Sequence, residues 1–539
     1  MTSCRTPVLI IGGGPVGLTL AIDLGRRGVS CLLVDKRPEP GFLPKMERCN
    51  ARTMEHFRRL GIADTVRAEG FPTDSPMDVF IVESLARKPW LHHPYPSVDE
   101  LKARARAAND GSLPAEPYQL VSQYRLEPLL RSVAEGIDGV TVRFGHAFES
   151  LEQRDDTVIA RIIRDDGTIM TVEADYLVGC DGANSTVRDC IGARLEGTPD
   201  LGRLTQALFR SDDLFDRIPI GKGRHYHVVD DKFTALVVQG DRRHFSLHSM
   251  VDEPGQMEEL FRTVVGFPVE FETLYVGQWT MRLMLADRYA DRRVFLAGDA
   301  AHLVIPTGGL GMNTGVGDAI DLSWKLAMTI QGSGGGGLLP TYELERRPVG
   351  QRNIEASRKA FVGRSSWRST FTPEIFDESS AGAAARRNLI EVADVEQRKS
   401  NDLLGIELGY RYDGSPLIVP DESMTSDPDS FGYTPSTDPG VRLPNHYLPD
   451  GTAVNDLLGW GFTLLTSVSA SREAEPLIDA MARLGSTLGH VVVDDEFAAR
   501  AYGYPMLLVR PDLHVAWRGH HPPSNPNELA STVSGIIGT

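Results

Sequence analysis

The chain has 539 residues, 41% apolar and 24% charged, which is too long for one ordinary core and too evenly mixed for a disordered or fibrous protein. Its 73 acidic against 56 basic residues give a formal charge of −17 with no basic stripe to override it, so no nucleic acid is expected as a partner. Five scattered cysteines (Cys4, Cys31, Cys49, Cys180, Cys190) lack disulfide or zinc spacing, and no apolar run reaches the ~20 residues of a membrane helix; the expectation is a cytoplasmic protein with no metal and no membrane partner.

In chain order, Val8 to Ile11 reads as a buried strand, "GGGPVG" as a turn and "LTLAIDLGRRG" as an amphipathic helix ended by Gly28, with "CLLVDKR" as the next strand. "ADYLVGCDG" and "RRVFLAGD" are two further buried strands, ending in Asp181 and Asp299. Three strands thus deliver glycine or aspartate at their carboxyl ends, where open α/β sheets bind ligands. Between the last two, "HYHVVDD", "FTALVVQG" and "HFSLHSMV" alternate as strands of a mostly antiparallel sheet. "SGGGG" at Ser333 to Gly337 reads as a flexible loop between two helices, and Asp413 to Gly451, rich in Pro, Asp and Ser, as a linker. The remaining order β-α-β-α-β-β-α is that of a separate small domain.

The expected fold class is therefore α/β. A Rossmann-like domain comprises residues 1–190 and 286–400, an inserted mostly antiparallel β-sheet domain for the substrate 191–285, and a linker plus thioredoxin-like domain 401–539; residues 76–110 are expected to lie over the inserted domain.

Chemistry is carried by two glycine-rich stretches far apart in the chain. In the first, Gly12 permits a tight turn, Gly14 lets backbone approach a pyrophosphate and Gly17 lets the helix pack on the strand, while Asp35, 21 residues after Gly14, suits ribose hydroxyls. The second, "GDAAHLVIPTGGLGMNTG", places Asp299 where a carboxylate can accept hydrogen bonds from a polyol chain, followed by glycines and a helix amino end suited to a ring that becomes anionic on reduction. NAD has no polyol chain, whereas FAD has ribityl and isoalloxazine parts, so the pair of stretches favours FAD.

"GGGPVG" with Asp35, "DYLVGCDGANSTVR" and "RVFLAGDAAHLVIPTGGLGMNTGVGDAIDLSWKLA" together resemble the three fingerprints of the single-component (class A) FAD-dependent aromatic hydroxylases, of para-hydroxybenzoate and phenol hydroxylase type. "WTMRLMLADRYADRRVF" is most similar to the chlorophenol monooxygenase and hydroxyphenylpropionate hydroxylase branch, and the last domain resembles the thioredoxin-like extension of such enzymes. The resemblance spans nearly the whole chain. It implies that Gly12, Gly14, Gly17 and Asp35 hold the ADP half of FAD and that Asp181 assists FAD and nicotinamide binding. It implies further that Asp299 binds ribityl, that Gly309, Leu310, Gly311, Met312 and Asn313 cradle the flavin ring, and that Gln123 and Arg125 lie along FAD. Lys45 joins this cofactor set at a position where many relatives carry arginine; lysine lacks the planar stacking fork of arginine. Pro306 is implied to shape the wall facing the substrate.

The implied reaction is hydroxylation of a phenolic or heteroaromatic ring: NAD(P)H, either NADH or NADPH, reduces the flavin, O2 adds at its C4a carbon, and a hydroxyl passes to the ring. The protein's share is position, water exclusion and charge. Candidate catalytic residues besides Pro306 are His225, Tyr226 and Arg282; candidate substrate contacts are Trp279, His227 and Tyr275, with His244 and His248 nearby in sequence. His302 has no metal partner at useful spacing and reads as structural. No cysteine follows Cys190, so the last domain has no CxxC and no thiol exchange; it reads as stabilising the core or a subunit contact, with a homodimer as one arrangement. Alternatives from the sequence alone are a tailoring monooxygenase acting on a polyketide or pyridinol by hydroxylation, epoxidation or Baeyer–Villiger insertion, a plain NAD-linked dehydrogenase, and a flavin-bearing scaffold without turnover. No WxWxIP segment is present, which disfavours halogenation.

Overall fold

Apolar runs set far apart in the chain converge on one sheet. In the computed structural model, which describes residues 2–43, 45, 47–421 and 431–536, the strands Val294–Leu296, Ile169–Gly179, Thr2–Ile11, Cys31–Asp35 and Val140–Phe144 lie side by side in that order, all parallel. Cys31–Asp35 is buried at every position, as expected of a parallel strand covered on both faces. Helices Pro15–Arg26 and Gly311–Ile330 pack together against this sheet, and Leu18, Ala21, Ile22, Val316, Ala319 and Ile320 join its core. A three-stranded antiparallel extension runs from His146–Gln153 through Val158–Arg164 into Ile169–Gly179.

A second sheet has the order Glu272–Thr280, Arg203–Arg210, His244–Ser249, Ala235–Val238, His225–Val228, Val79–Val82, Leu91–His93. Two of its strands come from residues 76–110: Val79–Val82 pairs in parallel with His225–Val228, and Leu91–His93 closes the edge, while the helix Val98–Ala108 of the same stretch sets Val98 in the core of this sheet. The alternation of strands divides its faces. Phe209, Tyr226, Leu236, Phe245 and Leu247 point into a core with the helix Met257–Val265, where Phe209 stacks on Phe261 at 4.2 Å between ring centroids. The opposite face carries His225, His227, Ser246 and His248, a polar surface turned toward the helix Thr341–Arg368. A small sheet, Leu195–Thr198, Leu283–Ala286 and His302–Leu303, links the two larger ones.

The last sheet has the order Leu488–Val493, Phe462–Ser467, Met506–Val509, Val515–Gly519. Its first pair is parallel and the other two antiparallel, which together with the helices Glu475–Arg483, Asp495–Tyr502 and Pro526–Val533 is thioredoxin-like topology. This unit is locked onto the helix that follows the second glycine-rich stretch. Trp324 of that helix is fully buried against Phe462. Beside it, Arg510 donates to Glu345 at 2.6 and 2.8 Å, to Asp321 at 3.1 Å and to Asp512 at 2.7 Å, while Lys325 donates to Asp321 at 2.7 Å and Glu345 at 2.6 Å. All five side chains are within 2% of full burial.

Two loops differ from the sequence expectation. The Ser333–Gly337 stretch is a docking seam rather than a flexible loop: Gly335 and Gly337 donate backbone hydrogen bonds to Ser534 and Gly535, and a Cβ on Gly335 would lie 2.3 Å from the Gly535 carbonyl oxygen. The Asp413–Gly451 stretch, whose residues 422–430 lie outside the described ones, is largely packed from 437 to 446; Arg442 is buried against Glu55 and Tyr433. Among the described residues of this stretch, Ser415, Ser436 and Asp450 accept from backbone amides in tight turns, which composition does not distinguish from a solvated linker. Among the described residues no helix is long and apolar enough to cross a membrane.

Candidate flavin and substrate site

The parallel strands end on a common edge, which presents Asp299, Asp181, Gly12–Gly14 and Asp35 in the order of their strands. Strands spaced about 4.8 Å apart make this edge about 15 Å long, the scale of an extended dinucleotide. Gly12 turns the chain with φ +114°, and a Cβ there would lie 2.2 Å from the Cys180 carbonyl oxygen; one on Gly17 would lie 2.0 Å from the Gly12 oxygen. Gly14 differs. It caps the helix Pro15–Arg26, and no protein atom comes nearer than 4.0 Å to the place of its Cβ. The space beside it is open, and the unpaired first-turn amides of that helix suit a phosphate.

Asp35 accepts from the Gly13 amide at 2.6 Å, from the Arg37 amide at 2.8 Å, and from the Arg37 guanidinium twice at 3.1 Å. Burial pushes its carboxyl up, but the Arg37 contacts prevail and hold it below the usual range. Four bonds fill its acceptor capacity, so Asp35 takes ribose hydroxyls only where Arg37 gives way. Arg37 is itself bridged to Glu127 at 3.1 Å, and Gln123 donates to the same Glu127 at 2.6 Å. Arg125 sits at the rim, paired with Glu69 at 3.0 Å. Asp181 accepts from the Val187 amide at 3.1 Å and from Ser185, tying down the helix Thr186–Cys190; burial raises its carboxyl.

The second cradle is built onto the first. Gly298, with φ +63°, lies so close to Gly315 that a Cβ on Gly315 would be 2.8 Å from the Gly298 Cα and 2.5 Å from Val16 Cγ2. Val16 belongs to the first glycine-rich turn, so both stretches share one wall. Asp299 faces open space although protein encloses it closely enough to raise its carboxyl by desolvation, partly offset by His302 and Lys45. Pro306 is likewise exposed, Gly308 and Gly309 take positive φ, and Gly311 and Met312 are half-buried at the amino end of a 20-residue helix. Asn313 fixes this loop: its side chain accepts from the Asn50 amide at 2.8 Å and donates to the Arg48 carbonyl at 3.0 Å and to that of Gly309. Beneath it, His302 meets Asp318 at 2.8 Å and Arg346 donates to Asp318 at 2.9 Å, in keeping with a structural His302.

Arg48 packs on Gly309, and its neighbour Glu47 crosses to the second sheet, where its carboxylate lies 2.6 Å from His225 Nε2. His225 Nδ1 and Glu47 Oε2 have no partner. His227 meets Gln397 at 3.0 Å on the same face. Tyr226 is corrected as a candidate catalytic residue: the two-residue strand period turns it into the core, stacked on Phe80, with its hydroxyl donating to the Gly221 carbonyl and accepting from the Gly223 amide. Trp279 and Tyr275 lie half-buried on the far edge strand, four strands or about 19 Å from His225, and are not brought together with it. Arg282 is exposed in the turn that follows. Sequence reasoning missed Glu47, Arg224, Arg364 and Gln397, which reach this face from separate segments with no local signature.

Residues 5–357 match the family described as FAD binding domain, and residues 436–539 the one described as aromatic-ring hydroxylase, C-terminal. The chain is 34% identical over 547 residues to the FAD-dependent monooxygenase apdD of Emericella nidulans, covering 95% of this chain and 87% of that one. It is 29% identical to 2,4-dichlorophenol 6-monooxygenase of Cupriavidus pinatubonensis, over 99% of this chain and 96% of the other. Among solved structures, the rebeccamycin biosynthetic enzyme RebC with reduced flavin superposes with a TM-score of 0.90 at 33% identity, covering 100% of both chains. The dehydrogenase alternative ends here, since the matched domain binds FAD. The chain belongs to the FAD-dependent aromatic-ring hydroxylase family of monooxygenases.

Proposed function

We propose that this FAD-dependent monooxygenase hydroxylates a phenolic or heteroaromatic ring, taking two electrons from NADPH or NADH and one oxygen atom from O2, with the second oxygen leaving as water. The observation that carries the reading is the junction of Gly298, Gly315 and Val16, which makes one continuous wall of two glycine-rich stretches almost three hundred residues apart. Gly12, Gly14 and Gly17 would hold the pyrophosphate end, Asp299 the ribityl chain, and the backbone from Gly309 to Asn313 the ring. Lys45, Asp181, Gln123 and Arg125 would flank the cofactor, and Pro306 would face the substrate. When bound, FAD supplies the hydride acceptance and oxygen activation that no side chain provides. Likeness to a rebeccamycin biosynthetic enzyme and to a putative polyketide hydroxylase of Streptomyces halstedii supports a tailoring role in biosynthesis beside the degradative one. The test is a panel of small phenols, pyridinols and polycyclic phenols: at least one should accelerate NAD(P)H oxidation and gain one oxygen by mass. Oxidation indifferent to every aromatic added would reject the reading, and a flavin that NAD(P)H fails to bleach with any of them would mark a scaffold.

Within this reading the chain's own acid–base group is His225. Burial lowers its pKa, Arg224 and Arg364 act in the same direction, and Glu47 opposes them without reversing the shift, so the imidazole is neutral at pH 7. A neutral imidazole held by Glu47 at Nε2 keeps Nδ1 free to accept a phenol proton. Glu47 stays ionised, its carboxyl at about 2: burial raises it, but His225 and the neighbouring cations lower it further. Substrate turnover should therefore hold steady through neutrality and past the ordinary histidine value of about 6.5, and fall only at lower pH, where this depressed imidazole protonates. His225→Gln should cost on the order of 100-fold in kcat and flatten that acid limb while leaving FAD content intact. An unchanged acid limb in the variant would assign the proton to another group.

A further inference from the structure

The polar face beside His225 holds more positive charge than it can satisfy. Arg224 and Arg368 are 3% and 4% exposed, yet neither forms an ion pair within 4 Å among the described residues. Arg224 donates to Asn401, leaving Nε without a partner; Arg368 donates weakly to the Thr234 carbonyl at 3.4 Å and stacks on Trp367, leaving Nε and Nη1 without partners. Arg364, half-buried one helical turn before Arg368, uses only Nε, toward Ser400 at 3.3 Å, and donates its terminal nitrogens to nothing among the described residues. The acids in reach are otherwise engaged. Glu47 is taken by His225, Asp230 accepts from the Lys232 and Thr234 amides and acts on Arg368 only through space, and Asp402 is solvent-exposed and makes no ion pair within 4 Å among the described residues. His225, His227 and His248, all held neutral by burial before any other influence, offset none of this charge.

Orphaned guanidinium N–H groups at such depth are costly unless something accepts from them. We infer that the substrate carries an anionic substituent of the carboxylate kind, received by Arg364 with Arg224 and Arg368 behind it, on the same face as the Glu47–His225 pair. This rests on the hydroxylase reading and narrows it: the ring to be hydroxylated enters with its acidic group directed toward the Arg364–Arg368 end of the helix Thr341–Arg368, about two turns beyond Ser357, which donates to the Ile305 and Thr307 carbonyls of the Pro306 loop. A guanidinium fork matches a carboxylate in two parallel hydrogen bonds, which a neutral amide of the same shape cannot reproduce.

The test uses the FAD-bound protein and two isosteric probes, 1-hydroxy-2-naphthoate and 1-hydroxy-2-naphthamide, titrated while the visible flavin spectrum and the melting temperature are followed. The carboxylate should bind at least about tenfold more tightly than the amide. Arg364→Met should erase that difference with FAD content unchanged, and Arg364→Lys should restore part of it. Equal affinities, binding of neither probe, or a preference that survives Arg364→Met would each overturn the assignment. If wild-type protein hydroxylates a neutral phenol yet fails this comparison, only the anion subsite falls; if wild-type protein cannot retain FAD, the hydroxylase reading falls with it.

Discussion

Gly12→Ala should yield a chain that misfolds and holds no FAD, whereas Gly14→Ala, two residues away, should fold normally and lose only the cofactor. The contrast follows from what occupies the space beside each residue. At Gly12 a methyl group would sit 2.2 Å from the Cys180 carbonyl oxygen and 2.9 Å from the Asp181 amide nitrogen, both backbone atoms fixed by the Thr2–Ile11 and Ile169–Gly179 pairing. The φ of +114° adds strain for any L side chain. Separating those strands would cost on the order of 3 kcal/mol or more. At Gly14 the backbone is extended and the nearest protein atom is 4.0 Å away, so alanine fits the protein. What it fills is space proposed for the pyrophosphate, and FAD affinity should drop at least about tenfold. Thermal melting and bound-flavin absorbance read the two outcomes separately. Equal FAD retention by wild type and Gly14→Ala would mean that the pyrophosphate lies elsewhere.

Arg510→Met should destabilise the protein more than removal of any surface ion pair. Among the described residues no other group joins Glu345, Asp321 and Asp512, and loss of the guanidinium leaves Lys325 as the cation bonded to Asp321 and Glu345, while Asp512 keeps only the His514 contacts. Breaking a buried charge network from one side typically costs about 3–5 kcal/mol, because the partners are left desolvated and uncompensated. The damage should reach the flavin. Asp321, Lys325 and Trp324 lie on the helix whose amino end borders the Gly309–Asn313 loop, so FAD should be released at a lower temperature in the variant. Arg154→Ala, which removes an exposed pair with Glu152, serves as the control and should leave the melting temperature unchanged. Matching melting curves for Arg510→Met and wild type would show that the last domain does not support the helix.

The two predictions draw on different levels of information. The Gly12–Gly17 turn and the Asp299 turn were legible in sequence because close backbone approach admits only glycine, and because apolar runs before each acid announce buried strands. The last domain was legible for a related reason: its element order is short-range. The charge clasp was not, since Asp321, Glu345 and Arg510 are far apart and each alone resembles a surface residue. Strand period two placed His225 and His227 on one face and Tyr226 on the other, but which face is the core depends on Phe209, Phe261 and Leu247 from other segments. Val79–Val82 and Leu91–His93 escaped assignment because parallel pairing with His225–Val228 leaves no turn signal between partners. The glycines of Ser333–Gly337 carried the same composition as a flexible loop, yet here they make room for the carboxyl end of the chain.

A single FAD held across both glycine-rich stretches is proposed to deliver oxygen from O2 to an aromatic ring. The decisive experiment is turnover under isotopically labelled O2 with an aromatic that accelerates NAD(P)H oxidation, followed by product mass. One labelled oxygen atom in the hydroxylated product, with a single NAD(P)H oxidised per coupled turnover, is the predicted result. A product whose new oxygen comes from water would contradict it.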